Sequence, residues 1–274
     1  MKALWLSLAL YVLSSSPFAG AVTDDTGAVM QLGKPATRII ALSPHTAELL
    51  LEAGGHRQLI AAPGNIDKLP AHTLRIGTLG GIDREQLLQL QPDLVLAWAS
   101  GNRSSDLAWI ERQGIPVYRS EPRNMAAIAT ALRAIGTLIG QPGRGGLVAQ
   151  AFERRLRNAC RNQPVRETYV AIWDRPALSV GGNHWLSDAL KHAKLSNTYA
   201  AVSRGVFPVE REALLEKAEL LQVVPRAADS KAPNRVYQAQ LSRPGPALAS
   251  AIEQLCHAQG RTEPPTGYSP ITPR

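Results

Sequence analysis

Four residues at one turn, Ser43-Pro44-His45-Thr46, carry the first side chains that could do chemistry. They sit where the apolar run "RIIAL" (38–42) gives way to the helical pattern "TAELLLEA" (46–53). A histidine there can ligate a metal, touch a ligand, or simply decorate a helix N-terminus. The chain has six histidines, and none stands at metal-ligand spacing from His45, so a metal triad is not expected. Trp98 closes the apolar run "DLVLAW" (93–98), and Trp173 closes "TYVAIW" (168–173). Most tryptophans belong to cores. Two flat aromatics at one rim would instead suit a large planar ligand. The residues alone leave both readings open.

Nucleophilic catalysis finds no support. Ser43 and Ser179 lie outside any G-x-S-x-G turn. "GTLGGID" (77–83) lacks the lysine and the spacing of a phosphate loop. No catalytic residue, no cofactor and no enzymatic activity are expected. The two cysteines, Cys160 and Cys256, show neither CxxC nor Cys/His zinc spacing. In an oxidising compartment they could pair, and the sequence leaves open whether they meet.

The net charge of +8 is scattered, apart from the cluster "RNACRNQPVR" (157–166). No aromatic-basic motif of a nucleic-acid module accompanies it, so it reads as solvated surface and no nucleic-acid partner is expected. Attraction to anionic membrane surface is a secondary effect. Lys2, the apolar run 3–13 and Ala19-Gly20-Ala21 read as a secretory leader cut after Ala21. The run is too short to span a bilayer stably, and no cysteine follows the cut to carry a lipid.

The elements that must position these residues alternate. Strands at 38–42, 58–62, 93–98 and 115–120 are separated by helices at 46–53, 83–90 and 105–114. That order predicts a parallel sheet covered by helices. An amphipathic helix over 124–140 stops at "QPGRGG" (141–146), and a polar helix over 147–160 follows. With few apolar positions for its length, it reads as a bridge between two bodies. The second half restarts with strands at 168–173, 220–224 and 235–240, and helices at 185–193, 210–218 and 247–258. Ligands in such sheets bind beyond the carboxyl ends of the strands. That rule selects Pro44, His45, Thr46, Trp98, Trp173 and the loop "GGNHW" (181–185) with His184 and Trp185. The tail 260–274 is proline-rich and reads as disordered.

"RIIALSPHTAELLLEAG", "IGTLGGIDREQLLQLQPDLVLAWASGN", "PALSVGGNHWLSDAL" and "RPGPALASAIEQLC" together resemble the periplasmic cobalamin-binding proteins. These belong to the group of ABC-importer binding proteins that also carries ferric siderophores and haem. The resemblance implies an α/β fold of two Rossmann-like lobes with parallel sheets joined by one long bridging helix. The expected division is a signal peptide at 1–21, an N-terminal lobe at 22–142, the bridging helix at 143–163, and a trimmed C-terminal lobe at 164–259. It also implies capture of cobalamin as cargo in the periplasm and delivery, as a monomer, to the permease of an ABC importer. Pro44, His45, Thr46, Trp98, Trp173, Phe207 and Arg243 match pocket positions, and Glu85 and Glu212 match the glutamates that dock the permease. Cys256 matches one half of a family disulfide, with Cys160 as a replacement partner.

The chain departs from the family in carrying "PGNID" (63–67) where a tyrosine-rich stretch is usual, Leu79 at a position that is tryptophan in some members, and only ten residues between the last two strands. These changes bear on the ligand, and leave haem, a ferric siderophore, or a non-transport exported role with a degenerate pocket as alternatives.

Overall fold

The computed structural model describes residues 20–64, 66, 69–77, 81–210, 212–213, 221–224, 235–237 and 239–259. The expectations for residues 1–19, Leu79, the tail 260–274 and most of the helix at 210–218 lie outside them.

The N-terminal lobe is built on a five-stranded, wholly parallel sheet of β3 (Ile39–Ala41), β4 (Leu59–Pro63), β5 (Leu74–Ile76), β6 (Leu94–Trp98) and β7 (Val117–Ser120), in the order β5-β4-β3-β6-β7. The strands are apolar on both faces because both faces are covered. Leu94 and Leu96 of β6 join one core cluster, while Val95 and Ala97 join another on the opposite face. The chain winds outward from β3 in one direction and from β6 in the other. The switch point therefore falls between those two strands, beside the turn into α1 (Pro44–Glu52).

α2 (Arg84–Gln89) is capped by Asp83, whose carboxylate accepts from the Gln86 N–H at 2.9 Å. α3 (Ser104–Arg112) and α4 (Met125–Leu138) complete the cover. Ahead of the sheet lies an antiparallel hairpin of β1 (Gly20–Thr23) and β2 (Val29–Leu32), which the sequence reading did not anticipate. Its Asp25 carboxylate accepts from the Glu121 N–H at 2.6 Å, which ties the hairpin to the loop after β7. β1 begins at Gly20, so a cut after Ala21 would remove two of its four paired residues.

The bridging helix α5 runs Pro142–Asn158, starting ahead of the expected 147. "QPGRGG" is not a linker between the two helices but the opening of the second. α4 ends at Leu138, Gly140 turns with φ of 72°, and Pro142 opens the new helix at its first turn. At 17 residues it is about 25 Å long. Gly145, Ala149, Phe152 and Leu156 form its one buried stripe. Just past its end, Cys160 is joined to Cys256 of α7 (Leu248–Gln259), with 5.2 Å between the Cα atoms.

The C-terminal lobe holds a four-stranded parallel sheet in the order β11-β8-β13-β14: β8 (Arg166–Val170), β11 (Leu195–Asn197), β13 (Leu221–Val224) and β14 (Arg235–Tyr237). The strand expected through Tyr237 to Gln240 ends at Tyr237, and Ala239–Ser242 form a 3-10 turn. β9 (Trp173–Asp174), β10 (Ala177–Val180) and β12 (Val206–Pro208) form a small antiparallel sheet. Trp173 therefore does not end the central parallel strand. The chain breaks after Val170, and Trp173 sits on the hairpin beyond it. α6 (Trp185–His192) follows β10. One apolar cluster includes α4, α5, α6 and α7, so the two lobes share a core along the bridge.

Candidate ligand-binding site

At the end of β6, Asn102 and Gly101 hold Trp98. The Asn102 Oδ1 accepts from the Trp98 N–H at 2.7 Å, and the Asn102 amide donates to the Leu42 carbonyl at 3.2 Å. The indole lies flat against Gly101, where an added Cβ would come within 2.1 Å of the ring. The "GN" that follows the tryptophan is thus its seat: glycine to admit the ring, asparagine to tie the ends of β3 and β6.

On one side of Trp98 stands the turn Ser43-Pro44-His45-Thr46. Thr46 donates its hydroxyl proton to the Ser43 carbonyl at 2.9 Å. Its Oγ1 lies 2.9 Å from the Ser43 Oγ, which lies 3.1 Å from His45 Nδ1. With the Thr46 proton committed, one consistent arrangement has Ser43 donating to Thr46 and His45 Nδ1–H donating to Ser43. In that tautomer the His45 Nε2 carries a lone pair; the atom is buried and has no hydrogen-bond partner among the described residues. Burial pushes this imidazole from 6.5 down to about 4, and the Arg243 guanidinium pushes the same way, so it is neutral.

Across from Trp98 the second lobe presents His184 and Trp185 at the start of α6, their rings 5.0 Å apart. His184 is the helix cap: its Nδ1 accepts from the Leu186 N–H at 3.1 Å. That bond places the ring proton on Nε2, and burial keeps the ring neutral, its pKa down to about 4. Trp173 donates its Nε1–H to the Arg175 carbonyl at 2.9 Å and remains 43% exposed.

Two links set the lobes against each other here. The Asp188 carboxylate of α6 accepts from the Met125 N–H at the start of α4, at 2.9 Å. Arg243 pairs with Glu48 of α1 at 2.7 Å. Between them opens a cavity of about 730 Å³. The first lobe lines it with Trp98, Ser100 and Glu121 to Arg123. The second contributes Trp173, Asn183, His184 and Trp185, and the segment after the last strand adds Leu241, Ser242 and Pro244. The volume falls within the roughly 300–1,000 Å³ usual for small-molecule sites.

Of the residues expected at a pocket, Trp98, Trp173, His184 and Trp185 come together around this cavity. Pro44, His45 and Thr46 do not line it, and His45 is only 2% exposed. Phe207 does not line it either, because its ring packs edge-on against Tyr199 at 5.2 Å. Arg243 is engaged with Glu48, while its neighbour Pro244 lines the wall. Glu85 and Glu212 are exposed on different lobes, away from the cavity. Sequence reasoning missed Ser100, Glu121 and Arg123, although the strand-end rule that selected Trp98 applies equally to the loop after β7. Among the described residues, no group of three or more His, Cys, Asp or Glu side chains could hold a metal ion.

Residues 39–235, from the first strand of the five-stranded sheet to the start of β14 in the four-stranded one, match the periplasmic binding protein family. The chain belongs to that family. Among curated relatives of this binding protein, the vitamin B12-binding protein of Vibrio cholerae is 28% identical over 246 residues, which are 81% of this chain and 88% of the relative. That of Yersinia pestis is 27% identical over 259 residues, 85% of this chain and 90% of the relative. The crystal structure of the periplasmic vitamin B12 binding protein BtuF of Vibrio cholerae superposes with a TM-score of 0.71 at 25% identity. It covers 83% of this chain and 99% of that one. In this binding protein the family match takes in the switch point between β3 and β6, and leaves the β1–β2 hairpin and α7 outside it.

Proposed function

We propose that this binding protein captures cobalamin in the cavity between its lobes and delivers it to an ABC importer. The observation that carries the reading is one cavity walled by Trp98 of one lobe and by Trp173 and Trp185 of the other, in a chain whose relatives are named for vitamin B12. A rigid, extended macrocycle needs apolar area on two sides, and paired indoles supply it at little cost in side-chain entropy. The role is capture and hand-over by an exported monomer; the corrinoid is cargo, not a cofactor. The shared core along α5 supports binding without large lobe closure. Calorimetric titration with cyanocobalamin tests the reading, and one tight site per protein is expected. Absence of heat with cyanocobalamin would move the substrate elsewhere.

A second reading, haem, is favoured by one atom. The unpartnered lone pair on His45 Nε2 could ligate iron in a haem that displaced Trp98. Absorption spectra of haem-loaded wild type and His45→Ala decide it, since identical spectra would remove that role.

A further inference from the structure

The cavity is apolar across its tryptophans but not uniformly so. Arg123, Asn183 and His184 are among its polar lining residues, and the Asp188 to Met125 hydrogen bond links the two lobes beside Arg123 and His184 in sequence. Arg123 stands two residues before Met125 and His184 four before Asp188, so that bond brings the two stretches of chain together, and both residues line the cavity.

The chemistry of that stretch of wall is one-sided. His184 spends Nδ1 as an acceptor on the Leu186 N–H, which leaves the opposite edge of the ring as a fixed N–H donor. Among the described residues, neither that nitrogen nor the Arg123 guanidinium has a hydrogen-bond or ion-pair partner in the protein. The two carboxylates nearby are engaged: Glu121 accepts from the Ser100 N–H at 2.7 Å and from the Ser100 hydroxyl at 2.9 Å, and Asp188 accepts from the Met125 N–H at 2.9 Å and faces the Lys191 ammonium at 3.8 Å. Donors therefore stand unpaired while the acceptors are engaged. A ligand that fills the cavity meets these donors at its wall, and an anionic acceptor would make charge-assisted hydrogen bonds with them.

Resting on the proposed role as a chelate-binding protein, we propose that Arg123 and His184, one from each lobe, together receive an anionic group of the ligand, a phosphate or a carboxylate. The pair would make the site select for the anion-bearing end of the ligand and fix its orientation between the indoles. The bound His184 acts as a neutral donor and not as a metal ligand, since its cap bond keeps the proton on Nε2.

The test compares ligands with and without the anion on intact protein. Wild type, Arg123→Gln and His184→Asn are titrated with cyanocobalamin and with dicyanocobinamide, which lacks the phosphodiester. A second arm uses hemin and its dimethyl ester, which caps both carboxylates. Asparagine retains the helix cap, and Arg123 is exposed, so neither variant should disturb the fold; thermal melts check this. In whichever arm wild type binds, each variant should lose about tenfold or more in affinity for the anionic ligand. Affinity for the neutralised partner should change less than about twofold. The responding arm identifies the anion as phosphate or carboxylate. Equal losses on both members of the pair, or no loss on either, would overturn the anion site while leaving the binding role intact. Wild type that binds no ligand in either arm would overturn both.

Discussion

The Trp98 indole closes edge-on over the His45 imidazole, with 5.5 Å between ring centroids and 87° between planes. One residue faces the cavity and the other stands buried outside its lining, so Trp98 is both pocket wall and cover for a polar side chain. This makes its removal doubly costly.

Trp98→Ala is expected to weaken ligand binding by more than about tenfold, as truncation of a central aromatic anchor does. It should also lower the melting temperature, because His45 loses its packing partner. Trp98→Phe should recover most of both. Calorimetry and thermal melts on the two variants check this, and undiminished affinity in Trp98→Ala would move the ligand out of this cavity.

The histidines set a pH dependence whose sign follows from their depressed pKa. Unfolded, each titrates near 6.5; folded, His45 and His184 titrate near 4. Above pH 6.5 both states are neutral and stability is level. Below it the unfolded chain takes up protons that the native protein refuses, so stability falls steadily towards pH 4. His45 alone accounts for about 3 kcal/mol of that loss at its lower limit, from ~1.4 kcal/mol per pKa unit. Urea melts at pH 7.5, 5.5 and 4.5 should show a shallower decline in His45→Gln than in wild type. Parallel declines would mean that His45 is not the group responsible.

Cys160 and Cys256 lie 96 residues apart in sequence and tie the end of α5 to α7. Closing so long a loop restricts the unfolded chain, and its loss should cost about 2–5 kcal/mol. The double serine variant should melt well below wild type, and reducing agent should shift wild type alone. Ligand affinity should be unchanged, since neither residue lines the cavity.

Much of this was legible in the sequence because periodicity reports burial. "DLVLAW" is continuously apolar, and β6 is indeed covered on both faces. The strand-end rule then brought Trp98, His184 and Trp185 to one cavity. What stayed hidden depends on pairings between distant residues. Nothing local marks Phe207 as spoken for by Tyr199, or Arg243 by Glu48, since these contacts exist only after the second lobe assembles. The break that puts Trp173 on a hairpin is set by pairing with Leu178, not by the apolar run that precedes it. The helix start at Pro142 was misread because glycines usually end helices. Here Gly145 lies on the buried stripe against α4, where a larger residue would not fit.

Delivery to a permease is the remaining step, and it separates cleanly from capture. Glu85 lies exposed in the first turn of α2, its carboxylate accepting from Gln89 at 3.2 Å, and Glu212 is exposed on the other lobe. Two carboxylates on two lobes can seat the protein in one orientation on a basic partner. Such rim charges steer an encounter more than they hold a complex. The double variant Glu85→Ala with Glu212→Ala should therefore bind cyanocobalamin within about twofold of wild type. In cells that depend on limiting cobalamin it should nonetheless fail to support growth. Each single variant should slow uptake, with the defect deepening at higher salt as screening removes the remaining attraction. Growth of the double variant at the wild-type rate would show that these glutamates do not dock the permease, and would send the search to other exposed carboxylates on the same face.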